Sequence, residues 1–203
     1  EVWQHQRVGG GEVGFDRLVG DVAVVQRHAR AEAEPRDLLA VSPLVFPELA
    51  GDSAVRAVCH DLYEFCHEFP IMDDQLTTFI AMFRGPQIES EQHFEDLLWR
   101  QLQAMHVIDS DFFAWDKSVD SDPQNNNFSF SIGGRAMFVI GMHPKASRLA
   151  RTFLYPTMVF NLHAQFERLR ARGKFETMQQ LIRAREMAFQ GSINPMLKNF
   201  GKG

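Results

Sequence analysis

Val55, Val58, Leu62, Phe65 and Phe69 step along the chain by threes and fours. That spacing puts all five on one face of a helix, and Pro70 ends it. Thr77 to Phe83, TTFIAMF, reads as a strand closed by Gly85-Pro86. Ser90 stands where a helix cap belongs, ahead of a stripe made by Phe94, Leu97, Leu98, Leu102 and Met105. A polar loop follows from Asp116 to Asn127 and ends in DSDPQNNN. Phe128, Phe130 and Ile132 then alternate with Ser129 and Ser131, the pattern of a half-buried strand. Gly133-Gly134 supplies a two-residue hairpin turn, and Ala136 to Ile140 returns as a more fully buried strand. Thr157 to Phe160 is a third short strand, with Asn161 placed to cap a helix through Phe166 and Leu169 to Gly173. A last helix is expected from about Phe175 to Phe189, ending near Gly191.

The segment before residue 53 is less regular. Gly9-Gly10-Gly11, Ser42-Pro43 and Phe46-Pro47 punctuate it, and Val22 to Arg30 fits a strand or a helix. Residues 1–52 are therefore expected to wrap the domain that residues 53–203 form. The fold class is α+β: a small antiparallel sheet packed by about five helices in a single domain. The 203 residues suffice for one sizeable core and are few for two.

Composition narrows the function. There are 18 Phe against three Trp and two Tyr, so many rings must fill a core or wall an apolar slot. Net charge is −5, which argues against a duplex nucleic-acid binder while leaving room for a local basic patch near Arg148. No apolar run approaches the roughly 20 residues of a membrane span, and the N-terminal residues show no secretory leader pattern. Cys59 and Cys66 lie two helical turns apart, roughly 10 Å, too far for a disulfide. Free thiols and a cytoplasmic setting are the expectation.

The stretch GMHPKASRLAR, Gly141 to Arg151, is the best candidate for chemistry. Pro144 biases His143 towards extended geometry at the end of a strand, which stiffens an imidazole able to hold a metal or a haem iron. A loop histidine bonded to backbone fits the same spacing. Arg148 and Arg151 share one face of a helical turn and suit a carboxylate or phosphate. A solvated basic turn fits equally. His163 opens the helix FNLHAQFERLR. His60 with His67, and His93 with His106, lack the spacing of a closed zinc site.

Three strings then carry a resemblance: NFSFSIGGRAMFVIGMHPKASRLAR, PTMVFNLHAQFERLR and IRAREMAFQGSINPML. Together they resemble the YqcI/YcgG family, through its FSIGG turn, G-[LM]-H-P-x-x-S-R segment, VFN-x-H-x-QF segment and GS-x-NPML tail. The match runs from about Asn127 to Phe200, with weaker similarity through FEDLLWRQLQAMHVID upstream. One departure stands out. Relatives often carry Phe-Pro-Cys near the end of the first clear helix, whereas here Phe69-Pro70 is followed by Ile71.

The resemblance implies a haem b-dependent oxygenase that hydroxylates nitrogen on a small amine or guanidine in a biosynthetic pathway, with dioxygen or peroxide as oxidant. A non-catalytic haem sensor or carrier is the alternative. By the same resemblance His143 is the expected axial ligand and His163 its rival. Arg148, and behind it Arg151, would meet the haem propionates. Phe130 and Phe138 would wall the slot, with Phe128, Met137 and Met142. No nucleic-acid or membrane partner is expected, and a homodimer is compatible with the apolar content of the first 52 residues.

Overall fold

The computed structural model describes residues 44–69 and 77–193. Five strands form one sheet: β1 (Leu44–Glu48), β2 (Thr78–Gly85), β3 (Phe130–Ile132), β4 (Arg135–Met142) and β5 (Thr157–Leu162), in the order β1-β2-β5-β4-β3. Four α-helices accompany them: α1 (Asp52–Glu68), α2 (Glu91–Asp109), α3 (His163–Ala171) and α4 (Phe175–Gln190). A short 3-10 turn covers Leu149–Arg151.

Side chains alternate across a strand, and here that alternation builds two cores. Phe79, Ala81, Phe83, Met137, Val139, Met158 and Phe160 pack with α1 and α2 on one face. Phe138, Ile140 and Val159 pack with Phe166 of α3 on the other. Full burial of rings such as Phe83 and Phe160 contributes roughly 1.5–3 kcal/mol each. The helical stripe expected on α1 is buried as Val55, Val58, Leu62 and Phe65. Ser90 caps α2, its Oγ accepting from the His93 N–H at 3.1 Å. Gly133 and Gly134 both take positive φ, 59° and 68°, as the tight hairpin between β3 and β4 requires.

Four expectations need correction. The sheet is mixed, because Leu44–Glu48 pairs parallel to β2. Phe46-Pro47 pointed to a loop, but a proline without an N–H is tolerated on an edge strand, and β1 is at the edge. Ser129 and Ser131 are as buried as their apolar neighbours. The Ser129 hydroxyl donates to Met137 O at 3.0 Å, and Ser131 Oγ accepts from Asp116 N at 3.0 Å, so the polar side is covered as well. Asn161 does not cap α3. It lies within β5, where its Oδ1 accepts from Thr78 Oγ1 at 2.7 Å across the ladder, and Leu162 occupies the cap position without a side-chain bond. Four α-helices, against about five expected, are found among the described residues. Most of the segment expected to wrap the domain, residues 1–43, lies outside the described residues.

Candidate functional site

His143 directly follows β4. Its N–H donates to Arg151 O at 3.1 Å and its carbonyl accepts from Phe153 N at 3.2 Å, so the loop returns on itself. The ring is buried and stacks on Phe94 of α2, with centroids 4.2 Å apart and planes 21° apart. Its Nδ1 has no hydrogen-bond partner among the described residues. Burial lowers its pKa below the ordinary value, Glu91 opposes that, and Arg151 adds to it. The imidazole is thus kept neutral inside packed structure.

The expected cations do not stand open. Arg148 Nη2 donates to Glu186 Oε1 of α4 at 3.2 Å and to Ser192 O at 3.4 Å, so this guanidinium is neutralised within the fold. Arg151 is buried, with its carbonyl engaged by His143. Pairing at Arg148 ties the loop to α4; both partners are largely covered, so solvent screens this bridge less than one at the surface.

The residues expected around the haem are divided by the sheet. Phe130 belongs to the core under α1 and α2, and Phe138 belongs to the core under α3. Phe138 and His143 are separated by an odd number of positions, so an extended chain sends them to opposite faces. His163 is on the side of Phe138: the two rings lie 4.6 Å apart. Phe128 and Met142 share that face, while Met137 packs with Phe130.

His163 and Phe138 border a cavity of about 730 Å3, together with Phe128, Asp116, Glu167 and three arginines, Arg135, Arg168 and Arg170. That volume falls within the range of small-molecule pockets. The β3–β4 hairpin, the polar loop and the start of α3 build it. Asn126, Asn127 and Ser118 line it from the loop, which turns on carboxylates: Asp116 Oδ1 accepts from the Ser118 N–H at 2.9 Å and hydroxyl at 2.7 Å. Asp116 Oδ2 accepts from Ala136 N at 2.9 Å. Burial alone would raise the Asp116 pKa, but these donors outweigh it and hold the carboxyl below its ordinary value. Burial lowers the His163 pKa too, against the pull of Glu167. The cavity therefore presents a neutral imidazole and two aromatic rings beside three cations and two carboxylates.

A second cavity of about 620 Å3 lies against α1, bordered by Tyr63, Cys66, His67, Phe113, Gly133 and Arg135. Its thiol is held in the neutral form: burial pushes the Cys66 pKa up to about 11, and Cys59 to about 12. Both cysteines are free, as their spacing predicts. Neither cavity is lined by His143, Arg148, Arg151 or Phe130. Spacing in HAQFERLR carried an overlooked signal. His163, Glu167 and Arg170 are i, i+4 and i+7 on one helix and so share a face.

Fold and cavity define the class: an α+β protein built on one mixed sheet, with a small-molecule-sized pocket at the junction of sheet, loop and helix. This chain belongs to the YqcI/YcgG family, whose family model matches residues 36–203. Comparison with curated proteins and with solved structures found no match. Among the described residues no helix is long and apolar enough to cross a membrane.

Proposed function

We propose that the larger cavity holds a haem through His163, and that the protein uses it to hydroxylate a nitrogen of a small amine or guanidine. The haem and the reaction class come from the family resemblance; the location comes from the cavity. One observation carries the location. His163 borders the same space as Phe128, Phe138 and three guanidiniums, which supplies a donor, an apolar wall and cations for an anionic edge. His143 meets the first need only, since Phe94 covers its ring and neither cavity reaches it.

When bound, haem supplies the oxidising chemistry, and the protein supplies binding and orientation. His163 is kept neutral by burial, the state an imidazole needs to donate a lone pair. Arg168 replaces Arg148 as the propionate partner, because Arg148 is held by Glu186 while Arg168 faces the cavity. Asp116 is ionised and suits a cationic amine or guanidinium. Phe128 and Phe138 exclude water from the slot.

The test is an absorption spectrum of purified protein and two variants, with mass spectrometry of amines and guanidines incubated with the reduced protein and dioxygen. His163→Ala is expected to abolish the Soret band, and His143→Ala to retain it with lower thermal stability. The converse result returns the axial role to His143. A normal Soret band without any hydroxylated product would favour a sensor or carrier.

A further inference from the structure

Three side chains on the cavity face of α3 form a connected line. His163 Nε2 lies 3.9 Å from Glu167 Oε1. The same carboxylate oxygen takes an ion pair from Arg170 Nη1. The Arg170 guanidinium in turn sits 4.5 Å above the ring of Phe175, the first residue of α4. All of His163, Glu167 and Arg170 line the larger cavity.

We propose that Glu167 is the positioning residue for His163 and that Arg170 governs how strongly it acts. This rests on the reading of His163 as the haem ligand. A ligating imidazole commonly gives its other N–H to a carboxylate, which fixes the ring plane and raises the basicity of the ligating nitrogen. With Nε2 protonated towards Glu167, Nδ1 is the nitrogen that would carry the lone pair for a ligand. The 3.9 Å gap exceeds a hydrogen bond. Glu167 is half exposed, so its side chain has room to turn towards the imidazole.

Asp116 also acts on His163, but it already accepts three hydrogen bonds from the loop and β4. Three of its roughly four acceptor sites are thus taken up in holding the hairpin. Glu167 has one oxygen shared between His163 and Arg170. Arg170 therefore competes with the imidazole for the same charge and weakens its pull.

That competition predicts effects of opposite sign, which a purely structural role does not. Glu167→Gln should weaken haem retention about tenfold, raise the ferric/ferrous reduction potential and lower the iron–histidine stretching frequency. Arg170→Gln frees the carboxylate, so it should lower the potential and raise that frequency. Glu167→Asp, with the charge kept on a shorter arm, should fall between wild type and Glu167→Gln. Melting of the haem-free variants checks that α3 and α4 remain folded. Should Arg170→Gln unfold, Arg170→Lys replaces it, with a smaller shift of the same sign.

Unchanged potential and frequency in Glu167→Gln, or shifts of one sign in both variants, would overturn the proposal while leaving His163 as ligand. Retention of a normal spectrum by His163→Ala would remove the haem reading itself, and this proposal with it.

Discussion

Gly141 lies where β4 passes closest to α2. An alanine Cβ there would overlap Phe94 Cε1 and stand 2.9 Å from both Phe94 Cζ and Leu98 Cδ1. Neither neighbour has room to yield. Both are almost fully buried, and the face of Phe94 carries the stacked His143 ring at 4.2 Å. Gly141→Ala must therefore tilt Phe94 off His143 or push α2 from the sheet. Overpacking of this kind costs about 1–3 kcal/mol. At about 2–4 °C per kcal/mol for a chain of this size, Tm should fall by roughly 2–12 °C. Thermal and urea unfolding followed by circular dichroism measure it, with an unchanged m-value showing that the transition is the same. Phe94→Leu supplies the control. It costs stability alone, yet it removes the atoms that clash, so the double variant should lose at least ~0.5 kcal/mol less than the sum. A Gly141→Ala protein within ~0.5 kcal/mol of wild type, or strict additivity in the double variant, would refute the packing argument.

Two further outcomes test the scaffold. Ser90→Ala removes the cap on α2 and should cost about 1 kcal/mol in urea unfolding, while Ser90→Asp should restore most of it. Asp109 is a buried carboxyl whose pKa burial raises above 3.8, with the Gly133 N–H only partly offsetting this. Native protein therefore binds that proton more tightly than unfolded chain, so its contribution is full below about 3.8 and is lost as pH rises through the folded pKa. Asp109→Asn keeps an acceptor for Gly133 and should flatten that part of the stability–pH profile; an unaltered slope above pH 4 rules the account out.

Much of the architecture was legible because local rules and global packing agree. The α1 stripe, the Ser90 cap, the paired glycines and the final glycine at position 191 each obey a rule that needs only neighbours. Gly191 takes φ 72° just past α4, as a helix terminator does. Pro47 misled, because the rule against proline in strands lapses at an edge, and edges belong to the whole sheet. Asn161 misled for a related reason. Its amide bonds sideways to Thr78, 83 positions away in sequence, and no local pattern reports such a partner. The arginines show most plainly what neighbours along the chain do not report. Arg148 looks like an open cation in sequence, yet Glu186 from α4 closes on it, whereas Arg168 and Arg170 read as ordinary surface residues of a helix and line the cavity.

By itself the sequence determined most of the helices and central strands, the hairpin, the free state of the two thiols and membership of a family, since periodicity, turn chemistry and motif strings are properties of neighbours along the chain. Tertiary structure alone decided which histidine meets the cavity. Strand parity sends Phe138 and His143 to opposite sides of one sheet, α2 seals the second with Phe94, and α3 begins at His163 on the side that remains hollow.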